Sequence, residues 1–139
     1  MAMARHPPKE GAKLASIVTF SPWTDLTNSG PSFHDSAIRD RVFTRDVIDS
    51  LARSYLDGHI PPDPDASPLF GIPEQLPPIY IQVGRDEILR DDSTRYACQA
   101  AALGAEVKLD IYGGMHHVFQ RDVGVLDLPV LLSNVQPPL

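Results

Sequence analysis

The chain has 139 residues, 42% apolar and 22% charged, enough for one domain with a core that hides roughly two-thirds of its surface. Eighteen acidic against twelve basic side chains give a net charge of −6, which argues against a nucleic-acid or anionic-membrane partner. The single cysteine, Cys98, excludes an internal disulfide, and no apolar run approaches the ~20 residues of a membrane span, so a soluble, cytoplasmic protein is expected.

Leu14–Phe20 is a short apolar run closed by Ser21-Pro22, the pattern of a strand buried on both faces. Thr24–Ser36 is rich in Asp, Asn, Gly, Pro and Ser and reads as a surface loop. A helix is expected from about Thr44, with Asp46 in its first turn, an apolar stripe of Val47, Ile48, Leu51, Ala52 and Tyr55, and Gly58 past its end. Seven of the 14 prolines then fall between Pro61 and Pro78, predicting turns and extended chain. Ile79–Val83 reads as a second buried strand ending at Gly84. Asp92-Ser93 is placed to cap a helix running to Leu103, stopped by Gly104. Glu106–Tyr112 alternates Val107, Leu109 and Ile111 with polar residues, giving a third strand ended by Gly113-Gly114. Strand, helix and strand with short links predict a βαβ unit and a parallel sheet, an α/β fold. After Gln120 the pattern dissolves, because Pro129 interrupts the apolar stretch Val123–Val135.

Ligands in open parallel sheets bind beyond the carboxyl ends of the strands. Two such ends carry ionisable side chains here: Asp86, Glu87, Asp91 and Asp92 after the second strand, and His116 and His117 after the third. If the strands are neighbours, an acid and a histidine emerge on one edge. That is the orienting half of a nucleophile–His–acid triad. On composition alone the acidic loop is more often a solvated loop or helix cap, and the His-His pair more often a surface or packing feature. A zinc site has no HExxH or cysteine spacing behind it.

Four blocks taken in order resemble one family. They are Ser21-Pro22-Trp23-Thr24-Asp25-Leu26, Asp65-Ala66-Ser67-Pro68-Leu69-Phe70, Gln82-Val83-Gly84 leading to Leu89-Arg90-Asp91-Asp92, and Met115-His116-His117-Val118-Phe119-Gln120. Over about Ala2 to Gln120 the chain resembles the C-terminal part of the bacterial hormone-sensitive-lipase-type esterases, which are α/β-hydrolases. The resemblance implies a partial α/β-hydrolase domain with a mainly parallel sheet and flanking helices. It assigns 25–62 to a cap-like insertion and 121–139 to an atypical tail. It implies His117 as the catalytic histidine, with His116 on a variable position. The frame Glu87-Ile88-Leu89-Arg90-Asp91 makes Glu87 the triad acid in place of the commoner aspartate, with Asp86 as the fallback one residue away. Asp91 would brace the loop. Trp23 and Phe33 would line the substrate pocket, although core packing explains both equally, as it does Ile38, Val42 and Phe43.

No serine stands in G-x-S-x-G, and Gly113-Gly114 is not an HGGG-type oxyanion loop. By resemblance Met1–Lys13 corresponds to the helix after the missing nucleophile, so a truncated chain is expected. The implied activity is hydrolysis of short acyl esters, a small-molecule substrate, with no cofactor or metal. The serine would come from a complementing fragment or an absent upstream region. The alternatives are a non-catalytic remnant that associates with itself or a partner through an open sheet edge, and an unrelated βαβ module binding a small ligand.

Overall fold

The computed structural model describes residues 14–122. Three parallel strands form its sheet in the order β1 (Ile17–Phe20), β2 (Ile79–Gly84), β3 (Val107–Tyr112). Ile17 lies opposite Ile79 and Ile79 opposite Val107, so the strands start level. At the other end Gly84 pairs with Tyr112, which releases the two loops that follow from adjacent positions. Between β1 and β2 run the short helix α1 (Pro31–His34), helix α2 (Arg45–Leu56) and a 3-10 turn at Pro68–Phe70. Helix α3 (Arg90–Ala102) links β2 to β3, completing the expected βαβ unit.

The core between α3 and the sheet joins Tyr96, Ala97 and Ala100 to Leu69, Ile79 and Ile81. A second cluster gathers Phe33, Ile48, Ile88 and Leu89, and a third gathers Leu26, Ala52 and Leu56. Trp23 packs against both of these, fastening α2 over the carboxyl end of the sheet. No helix among the described residues is long and apolar enough to cross a membrane.

Four local expectations need correction. β1 is not buried on both faces: Val18 is 55% and Phe20 47% exposed, because among the described residues β1 pairs only with β2 and stands at the edge. On α2 the buried stripe is Ile48, Ala52 and Leu56, while Val47, Leu51 and Tyr55 face outward. Five apolar positions span more than one helix face, and Trp23 and Leu26 meet only one of them. Thr44, where the helix was expected to begin, is its cap, its Oγ1 accepting from the Val47 N–H at 3.4 Å. Helix α3 starts at Arg90 without a side-chain cap, because Asp92 is engaged elsewhere. On β3 the side opposite Val107, Leu109 and Ile111 is not simply solvated: Asp110 and Tyr112 are buried, Asp110 accepting from Tyr80 Oη at 2.5 Å, while the Gln82 amide donates to the Tyr80 and Tyr112 hydroxyls. The atypical tail and the residues corresponding to the post-nucleophile helix lie outside the described residues, apart from Arg121 and Asp122.

Candidate active site

The site is built where β1, β2 and β3 end together. Backbone bonds first join the two loops: Arg85 N–H donates to Tyr112 O at 2.9 Å and Asp86 N–H to Met115 O at 3.3 Å. The approach is close enough that a Cβ at Gly84 would stand 2.2 Å from Met115 O, so only glycine fits there. The Gly84 N–H then donates to Glu87 Oε1 at 2.6 Å, turning the carboxyl group back over the strand end.

Glu87 is fully buried, and its Oε2 lies 2.9 Å from His117 Nδ1. The imidazole itself keeps 16% exposure, so one edge is held by a buried acid while the ring still reaches the surface. Phe43 packs edge-on against that ring, with centroids 4.9 Å apart. Asp40 sets the position of Phe43: its Oδ1 accepts from the Val42 and Phe43 N–H groups, and its Oδ2 from Ile88 N–H at 2.9 Å. A carboxylate on Nδ1 favours the Nδ1–H tautomer, which leaves Nε2 as a base. Among the described residues no hydroxyl or thiol is hydrogen-bonded to that Nε2.

Asp86 is exposed, and its side chain is not on His117. His116 turns away, with Nε2 2.8 Å from Asp122 Oδ2 and Nδ1 3.0 Å from His117 O. Asp91 binds Ser32 N–H at 2.8 Å and Arg90 Nε at 2.9 Å, tying the start of α3 to α1. Phe33 lies in the second core cluster. Trp23 donates from Nε1 to Asp25 O at 3.0 Å and Asn28 Oδ1 at 3.2 Å while its ring joins two clusters. Two shallow surface recesses lie away from His117, one over the amino ends of the strands at Ile17, Ile79 and Val107, the other beside Tyr55 and His59.

Behind the pair sits a second acidic assembly. Asp92 Oδ2 accepts from the N–H groups of Thr24 and Asp25 at 2.7 and 2.8 Å. Burial pushes its carboxyl up to about 7, against the pull of those two donors. Asp25 is also raised by burial, but hydrogen bonds from Ser29, Thr27 and Arg95 outweigh it and hold the group below its ordinary value. The functional neighbours that sequence reasoning missed are Ser21, whose Oγ donates to Glu87 Oε1 at 2.8 Å, and Asp40. Ser21 had one available signal, its place at a strand end facing the acid loop; Asp40 had none.

A family profile describing the alpha/beta hydrolase fold matches residues 1–121. An esterase of Acinetobacter venetianus is 35% identical over 107 residues, 76% of this chain and 35% of the relative. An acetyl-hydrolase of Streptomyces hygroscopicus is 35% identical over 105 residues, with the same coverage of 76% and 35%. Among solved structures, an esterase from the bacterial hormone-sensitive lipase family superposes with a TM-score of 0.82 at 33% identity, over 94% of this chain and 43% of that one. An esterase/lipase from an uncultured bacterium gives a TM-score of 0.80 at 35% identity, over 94% and 43%. The chain thus spans 35% of the length of these curated relatives and 43% of these solved structures. With the parallel sheet, the flanking helices and the profile match in agreement, the chain belongs to the alpha/beta hydrolase fold family.

Proposed function

We propose that the chain supplies the base and acid of a carboxylic-ester hydrolase that acts on short acyl esters by a Ser-His-acid, acyl-enzyme mechanism. The observation that carries the reading is the 2.9 Å contact between His117 Nδ1 and the buried Glu87 Oε2. His117 Nε2 takes the proton of a serine hydroxyl as that oxygen attacks the ester carbonyl, then returns it to the leaving alcohol. Glu87, on Nδ1, steadies the imidazolium that forms. This sequence carries no G-x-S-x-G, and the serine is supplied by a complementing segment. The names of the relatives, an esterase and an acetyl-hydrolase, support an ester with a small acyl group. Residues 25–62 act as part of a cap, with Trp23 and Phe33 shaping its inner side and Asp91 bracing the acid loop.

The test mixes the purified chain with an amino-terminal segment of a related esterase that bears the nucleophile, and follows release of p-nitrophenol from a short-chain ester. Turnover in the mixture that disappears with His117→Ala supports the proposal. A mixture without turnover, or one indifferent to that substitution, overturns it. A second reading, association without catalysis, draws on the exposed Val18 and Phe20 on edge strand β1. Its mark is a concentration-dependent oligomer that hydrolyses no activated ester.

A further inference from the structure

Ser21 is the first residue after β1, and its N–H extends the ladder by donating to Gln82 O at 2.8 Å. It is 3% exposed and holds a left-handed backbone, φ +45, uncommon for a non-glycine residue. This conformation is used. The hydroxyl hydrogen is given to Glu87 Oε1 at 2.8 Å, and the hydroxyl oxygen accepts the Val118 N–H at 3.0 Å. Val118, next to the histidine, is itself left-handed at φ +50, a costly state for a β-branched residue.

A nucleophile must lie on the free nitrogen of the base. Ser21 lies on the far side, on the carboxylate oxygen that His117 does not use, and it is buried. Its chemistry is therefore that of a tether. With Gly84 N–H, it places two donors on Oε1 and leaves Oε2 to the imidazole. The same hydroxyl also secures the backbone that carries the ring.

We infer that Ser21 is a positioning residue, whose hydroxyl holds the Glu87 carboxylate and the Val118 backbone so that His117 keeps its proton on Nδ1. The inference rests on the reading of Glu87 as the orienting acid, and the experiment separates the two. In the full chain, 15N chemical shifts of the neutral His117 ring report the ratio of Nδ1–H to Nε2–H tautomers. Ser21→Ala and Ser21→Gly are expected to lower that ratio roughly threefold or more, as loss of a hydrogen bond to a charged group implies. Glycine accepts the positive φ without strain, so Ser21→Gly isolates the hydroxyl from the backbone. A ratio unchanged in both variants while Glu87→Gln shifts it overturns the role of Ser21 alone. A ratio unchanged in Glu87→Gln overturns the orienting acid itself. The unmodified chain gives a decision that no variant's folding can obscure. A slowly exchanging Ser21 hydroxyl proton with a nuclear Overhauser contact to the Val118 amide supports the tether. A freely exchanging one overturns it.

Discussion

Replacing Gly84 by alanine attacks the junction on which the whole site depends. The new Cβ would lie 2.2 Å from Met115 O, 2.7 Å from Met115 C and 3.0 Å from Glu87 Oε1. A relaxed carbon–oxygen contact needs roughly 1 Å more than the shortest of these, and the obstruction is backbone, which cannot rotate away. The loops after β2 and β3 must therefore separate. That breaks the Asp86 N–H to Met115 O bond and moves Glu87 off the Gly84 amide. Overpacking of this kind costs about 1–3 kcal/mol, and each buried bond lost adds about 1 kcal/mol, so about 3 kcal/mol or more is expected. Urea unfolding of the full chain measures it, with Gly113→Ala as control because a Cβ there meets nothing within 4 Å. Equal losses in the two variants, or a Gly84→Ala chain within about 0.5 kcal/mol of the parent, would show that the two loops part without cost.

Three further outcomes follow from the same contacts. Because the Asp92 carboxyl is raised to about 7 from 3.8, the folded chain retains a proton that the unfolded chain has lost between those values. Its contribution to stability thus declines as pH rises from about 4 to about 7, by about 4 kcal/mol at most. Asp92→Asn should flatten this slope in urea midpoints taken at both ends, and parallel curves would contradict it. Val118→Gly relieves a β-branched residue at φ +50 and should raise stability by about 1–2 kcal/mol, checked by thermal unfolding; a loss would mean that valine packing outweighs the strain. Ser67→Ala strands the Leu26 N–H, which donates to Ser67 Oγ at 2.9 Å, and frees the Pro61 carbonyl at 2.6 Å. A cost of about 1–3 kcal/mol is expected in urea unfolding, and a neutral variant would show that water substitutes for the hydroxyl.

The strands and the start of α2 near Thr44 were legible because their signals are local: short branched runs, an acid in the first turn and glycines at the ends. The juxtaposition of acid and histidine followed from neighbouring parallel strands with chemistry at their carboxyl ends. Asp92 misled for the opposite reason. Its sequence position suits a cap, but its carboxylate serves backbone groups 68 and 67 residues earlier. Ser21 reaches Glu87 across 66 residues and Asp40 reaches Ile88 across 48, distances over which no periodicity speaks. The motif frame already favoured Glu87 over Asp86, and after the tight turn at Gly84 it is the Glu87 side chain that folds inward.

Glu87, buried against Nδ1, is proposed to orient His117 as the base of ester hydrolysis. Its most direct test is p-nitrophenyl ester turnover by the chain combined with a nucleophile-bearing segment, comparing Glu87→Gln with Asp86→Asn. Glu87→Gln should lower kcat by about 10²–10⁴-fold through the wrong tautomer, while Asp86→Asn stays within about twofold. Equal rates for the two variants, or a loss confined to Asp86→Asn, would rule Glu87 out as the orienting acid.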